Sequence, residues 1–111
     1  MAQAIYIYEG AVIDYTPAED VSAGDVIVQG ELVGVAARDI KANTLGALAV
    51  AGVFDFAKAT GSGTAINAGA RVYWDNTAKV ATITALNNTL IGKCVKAATT
   101  ADTTVRVRMS Q

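Results

Sequence analysis

Thr104-Val105-Arg106-Val107-Arg108-Met109 is the stretch that decides the fold. Val105, Val107 and Met109 alternate with Thr104, Arg106 and Arg108, a period of two that sorts side chains onto opposite sides of an extended strand. The valine-methionine side predicts core. The opposite side, with Arg106 and Arg108, has two readings: a solvated strand face, or a contact with acidic groups on a partner.

Runs of similar kind recur back along the chain between turn residues, at residues 5–8, 11–15, 26–29, 32–36, 45–56, 71–74, 79–84 and 90–95. Gly30-Glu31 joins two of them and predicts a two-residue hairpin. Asp75-Asn76-Thr77-Ala78 predicts a second hairpin. The run at 45–56 reads as one bent strand or as two short ones around Gly52. No stretch sustains a 3.6-residue apolar period, so helix is expected to be minor. The expected class is all-β: a small sandwich or barrel of short antiparallel strands. Two similar halves are expected as well. Ala23-Gly24-Asp25-Val26 matches Ala68-Gly69-Ala70-Arg71-Val72, Leu32-Val33-Gly34 matches Leu90-Ile91-Gly92, and Lys41-Ala42 is paired with Lys96-Ala97.

The length, 111 residues, suits one domain, with an expected division into an N-terminal strand or arm, 1–8, and a β domain, 9–111. Apolar residues make up 52% of the chain, which argues against disorder. Nine Lys and Arg against ten Asp and Glu give a net charge of −1, with no basic excess to neutralise a phosphate backbone. Nucleic acid is therefore not an expected partner. A membrane is not one either, because no apolar run nears the ~18 residues of a spanning helix. No signal peptide is read at the N-terminus, and the single cysteine fits synthesis in a reducing compartment.

The arm has an unusual pattern. Ile5 and Ile7 fall on one side and Tyr6 and Tyr8 on the other, so both sides are apolar or amphipathic. One reading is a strand packed in its own domain; the other is an arm docked on a neighbour or a larger assembly.

Catalytic chemistry finds little to work with. The chain has no histidine, which removes the usual general base near neutral pH and the commonest metal ligand. One thiol, Cys94, cannot build a zinc site and reads as a buried small residue. Gly61-Ser62-Gly63-Thr64 lacks the spacing and the lysine of a phosphate loop and reads as a turn. The carboxylates Asp14, Glu19, Asp20, Asp25, Asp39, Asp55, Asp75 and Asp102 are scattered and show no pairing for acid-base work. No enzyme, cofactor or metal is expected. Tyr73-Trp74 offers a stacking platform for a sugar, or else lies half in the core.

In order and spacing, several segments resemble the small capsid cement, or decoration, proteins of tailed bacteriophages and prophages, a family long known only as a domain of unknown function. They are Glu9-Gly10-Ala11-Val12-Ile13-Asp14-Tyr15-Thr16, Ser22-Ala23-Gly24-Asp25-Val26-Ile27-Val28, Leu32-Val33-Gly34-Val35-Ala36 and Gly52-Val53-Phe54-Asp55-Phe56. Further along come Ala68-Gly69-Ala70-Arg71-Val72-Tyr73-Trp74-Asp75, Asn88-Thr89-Leu90-Ile91-Gly92 and Thr104-Val105-Arg106-Val107-Arg108. Where the family has Asp and Lys before Val-Tyr-Trp-Asp, this chain has Ala70 and Arg71. The resemblance implies a protein that binds the outside of an assembled head and stabilises it, with the major capsid protein as partner and a homotrimer as the working form. It would be made in the bacterial cytoplasm and reside on the virion. The alternative expectation is a small β-sheet ligand-binding module, such as a glycan binder on the virion surface. The expected capsid or subunit contacts are Ile5, Tyr6, Ile7, Tyr8, Arg106 and Arg108.

Overall fold

The computed structural model describes residues 3–111, among which there are nine strands and no helix. In chain order these are β1 (Val12–Tyr15), β2 (Val26–Gln29), β3 (Leu32–Ala36), β4 (Gly46–Ala49), β5 (Gly52–Ala57), β6 (Arg71–Asp75), β7 (Val80–Thr82), β8 (Thr89–Lys96) and β9 (Thr104–Met109). They form two antiparallel sheets in a sandwich-like arrangement, with strand orders β1-β4-β3-β2 and β5-β9-β8-β6-β7. The all-β expectation holds.

Local chemistry explains several of the boundaries. The β2–β3 hairpin turns at Gly30, whose φ of 62° sits at the first central position of a two-residue loop, where only glycine is comfortable. The β6–β7 hairpin turns as expected, with the Asp75 Oδ1 accepting from the N–H groups of Thr77 and Ala78, both at 3.0 Å. The run at 45–56 splits before Gly52, so that β4 joins the first sheet and β5 the second.

In β9 the burial alternates along the strand: Val105, Val107 and Met109 are buried, and Thr104, Arg106 and Arg108 exposed. The buried side joins the main core, in which Val33 and Val35 of the first sheet pack with Phe56, Val72, Trp74 and Ile91 of the second. A smaller cluster (Val21, Ala36, Ile40 and Leu48) lies apart from it and gathers Ile13, Tyr15 and Ile27. The first sheet thus packs on both faces, which explains the unbroken burial of β3 from Val33 to Ala36.

The two sheets repeat one topology. β1, β4, β3 and β2 correspond in order to β5, β9, β8 and β6, and β7 is an addition to the second sheet. The irregular segments repeat too. Val21 bridges Ile40 in one half and Ile66 bridges Ala98 in the other. Gly24 and Gly69 take φ of 90° and 86° in the turns before β2 and β6. Their N–H groups donate to Ala36 and Cys94, both at 2.7 Å. Gly34 and Gly92 are equivalent as well. A Cβ on Gly34 would meet Leu48 Cβ at 2.9 Å, and one on Gly92 would meet the Arg108 carbonyl oxygen at 2.0 Å. One expected equivalence is corrected. With Ile40 matching Ala98, Lys41 corresponds to Thr99 rather than to Lys96, at the same spacing that relates Gly34 to Gly92 and Ala36 to Cys94.

Gln111 ties the halves together. Val33 N–H donates to its Oε1 at 2.7 Å, and its Nε2 donates to Val33 C=O at 2.8 Å. The β3–β4 pairing covers only Val35 and Ala36, so the Gln111 amide takes the place of a missing strand residue beside Val33.

Candidate contact surfaces

Residues 4–10 have no regular secondary structure. The expected run at 5–8 is therefore not a strand of this chain; isoleucine and tyrosine favour strands, but a strand needs a partner edge. Met1 and Ala2 of the expected arm lie outside the described residues. Ile5, Tyr6, Ile7 and Tyr8 are 76%, 79%, 76% and 50% exposed. Four large apolar side chains in succession at such exposure form a surface that water does not favour.

Arg106 and Arg108 project from the outer side of β9. Arg106 holds Asp55 of β5 in a two-pronged bond, Nε to Oδ1 at 2.9 Å and Nη2 to Oδ2 at 3.2 Å. That hydrogen bond, chiefly, keeps the Asp55 carboxyl below its ordinary value and raises the Arg106 guanidinium. Arg108 stands in a different row. The register places it opposite Val53 of β5 and Lys93 of β8, and Lys93 opposite Arg71 of β6. Three exposed cations therefore cross three neighbouring strands, and Asp55–Arg106 is the one ion pair found among the described residues. Like charges placed directly opposite are unfavourable in a sheet, so the row carries a cost that a partner of opposite charge would relieve. Arg71 and Lys93 were missed in the sequence. The signal that finds them is cross-strand register, which is set by distant segments.

The row belongs to a wider separation of charge. Seven of the ten acidic residues precede residue 50, and seven of the nine basic residues follow it. A chain nearly neutral in total is thus negative in its first half and positive in its second.

The other candidates settle into structure. Trp74 is 4% exposed, packs against Phe56 with ring centroids 6.0 Å apart, and donates from Nε1 to Asn76 Oδ1 at 3.2 Å. A stacking platform at Tyr73-Trp74 is not formed. Cys94 is buried, as expected. Asp102 accepts from the Thr99 N–H at 2.7 Å, and this bond is the main cause of its lowered pKa. Lys58, 5% exposed, was not singled out in the sequence; its Nζ donates to the carbonyls of Ala59 and Asp102 at 2.7 and 3.1 Å. Among the described residues no three His, Cys, Asp or Glu gather to hold a metal ion, and no helix is long and apolar enough to cross a membrane.

The distinctive chemistry of this all-β sandwich lies in an exposed apolar arm and a charged sheet face. The sequence model of the phage cement protein family matches residues 7–109, and the chain belongs to that family. Membership makes this a structural protein associated with the phage capsid. Searches of curated proteins and of solved structures found no match.

Proposed function

We propose that this protein binds the outer surface of the assembled phage head and stabilises it, with the major capsid protein as its partner and a homotrimer as the binding unit. The family match over residues 7–109 carries the reading. The surface chemistry supplies a means. The row Arg71, Lys93 and Arg108 faces outward without acidic partners, and a capsid surface rich in carboxylates would supply them. The residue range 1–8 acts as an arm outside the β domain at 9–111, and Ile5 to Tyr8 together with Arg106 and Arg108 serve capsid or subunit contacts. Ligand that binds only the assembled lattice stabilises it by mass action, and several modest contacts per trimer combine through their effective concentration.

The test is co-sedimentation with expanded capsids. The intact chain pellets with the heads. A chain lacking residues 2–8, and separately a chain with Arg71, Lys93 and Arg108 all changed to Gln, pellets at least tenfold less. Raising salt weakens the intact chain and has little further effect on the triple variant. Undiminished binding by both variants would remove these surfaces from the reading, and absence of binding by the intact chain would remove the function.

A further inference from the structure

The repeated topology carries one groove twice, filled in the second half and open in the first. Ala36 corresponds to Cys94, so the pairings Ala36–Leu48 and Cys94–Val107 make Leu48 and Val107 equivalent. These pair in turn with Ile13 of β1 and Phe54 of β5. One step along, Asp14 stands opposite Ala47 in the first half as Asp55 stands opposite Arg106 in the second. A groove flanks each pair. That of the second half, about 170 Å³, is lined by Asp55, Lys96, Ala98, Val105 and Arg106 with their neighbours. That of the first half, about 630 Å³, is lined by the counterparts Asp14, Arg38, Ile40, Gly46 and Ala47. At one place large and small side chains are exchanged: Ile40 and Gly46 stand for Ala98 and Val105, and a Cβ on Gly46 would meet Ile40 at 2.7 Å.

The two grooves differ at the carboxylate. In the second half the Arg106 fork lies on Asp55, with Nε to Oδ1 at 2.9 Å and Nη2 to Oδ2 at 3.2 Å. In the first half the arginine is replaced by Ala47, and among the described residues the one ion pair is that of Asp55. Leu45, 71% exposed, stands where the second half has Thr104 and adds an apolar wall. A carboxylate beside apolar lining suits arginine, whose hydrocarbon stem packs while its planar fork takes two carboxylate oxygens.

We infer that the first-half groove receives an arginine side chain of the capsid protein, its guanidinium placed on Asp14 as that of Arg106 is on Asp55. The inference rests on the head-binding reading and adds a contact on the acidic half of the chain. Arg38 and Lys41 also line the groove. Lys96, in the place of Arg38, lines the second-half groove without displacing Arg106 from Asp55. Asp39 adds a carboxylate where the second half has Ala97. A second copy of this chain is a poor donor. Of its four arginines, Arg106 is engaged and Arg38 lines the groove itself. Arg71 and Arg108 flank Lys93, so inserting either would set a row of three cations against Arg38 and Lys41. A lone arginine on another protein brings no such repulsion.

Two measurements test this. In the first, the peptides acetyl-Gly-Arg-Gly-amide and acetyl-Gly-Lys-Gly-amide are titrated into the full chain at low salt, with the Leu45 methyl groups and the Asp14 carboxyl followed by NMR. The arginine peptide shifts both signals saturably and binds at least fivefold more tightly than the lysine peptide, because an ammonium lacks the fork. Asp14→Asn removes the carboxylate, and Ala47→Arg rebuilds the pair of the second half within the chain. Both positions are exposed, and in each variant saturable binding is lost. The second measurement is co-sedimentation with expanded capsids, where each variant pellets at least threefold less than the intact chain. Equal binding of the two peptides, binding that survives Asp14→Asn, or variants that pellet like the intact chain overturns the inference. An intact chain that fails to pellet overturns instead the head-binding reading on which it rests.

Discussion

Replacing Gln111 with Ala removes both hydrogen bonds that close the first sheet beside Val33, a residue with no exposed surface. Each bond is worth about 0.5–1.5 kcal/mol net, and a buried main-chain group left without a partner costs about 1–3 kcal/mol. Gln111 is itself exposed, so water reaches part of the gap and the expected loss sits near ~2 kcal/mol. Unfolding entropy of ~2.1 cal/mol/K per residue over 111 residues converts this to a fall in Tm of about 8–9 °C. Urea denaturation and calorimetry read both quantities. Gln111→Glu sharpens the test. An ionised carboxylate cannot donate to the Val33 carbonyl and faces its oxygen, so at neutral pH this variant is at least as unstable as the alanine one. A protonated carboxyl both donates and accepts, like the amide. Its folded pKa is therefore raised above the ordinary ~4.3 of glutamic acid. The stability it confers is full below that ordinary value and is lost as pH rises through the raised one. A loss under ~0.5 kcal/mol for Gln111→Ala, or a Gln111→Glu variant that gains nothing over Gln111→Ala on acidification, would refute the strand-substitute role.

Trp74→Ala should cost about 3–5 kcal/mol, as removal of a large buried aromatic does; a change under ~1 kcal/mol in chemical denaturation would place the ring outside the core and reopen the sugar platform. Gly92→Ala should destabilise more than Gly34→Ala, because the first drives a Cβ into the Arg108 and Ser110 main chain and the second into the Leu48 side chain. The cost reaches or exceeds the ~3 kcal/mol upper range for overpacking at Gly92 and stays within ~1–3 kcal/mol at Gly34, and equal Tm losses would contradict this. Arg106→Gln should raise the titration midpoint of the Asp55 carboxyl toward ~3.9, read by NMR. In the native chain the lowered pKa means that the pair's contribution is full above that ordinary value and drains as pH falls through the lowered one. An unmoved midpoint would mean that the ion pair does not persist in solution.

Strand positions were legible where side chains alternate or where a turn residue is forced. The register of Val105, Val107 and Met109 was evident because their neighbours are threonine and arginine, and the β2–β3 hairpin because Gly30 has few other uses between two valine-rich runs. The duplication was legible where glycine is obligatory, at Gly24 and Gly69 and at Gly34 and Gly92. It was misaligned at Lys41, since Lys41-Ala42 and Lys96-Ala97 match by residue identity alone, with no turn glycine or bridge to anchor the pairing. Ile5–Tyr8 read as a strand because propensity is local, whereas pairing depends on an edge elsewhere in the molecule or in another one. The cation row was only partly visible: Arg106 and Arg108 share a strand side, but Arg71 and Lys93 come alongside Arg108 only after three strands have found their register. Gln111 left no pattern, because a single amide substituting for backbone has no period.

The unequal division of charge along the chain bears on speed as well as strength. A molecule negative in one half and positive in the other is a dipole, and a charged lattice turns a dipole before contact. Most collisions between two bodies are wasted on wrong orientations, which holds ordinary association to about 10⁵–10⁷ M⁻¹s⁻¹. Pre-alignment in the field of a charged surface lifts that ceiling tenfold or more at low ionic strength. Toward the carboxylate-rich capsid surface proposed above, the positive half would arrive facing inward on most encounters. Coverage would then be limited by diffusion rather than by the search for a productive angle.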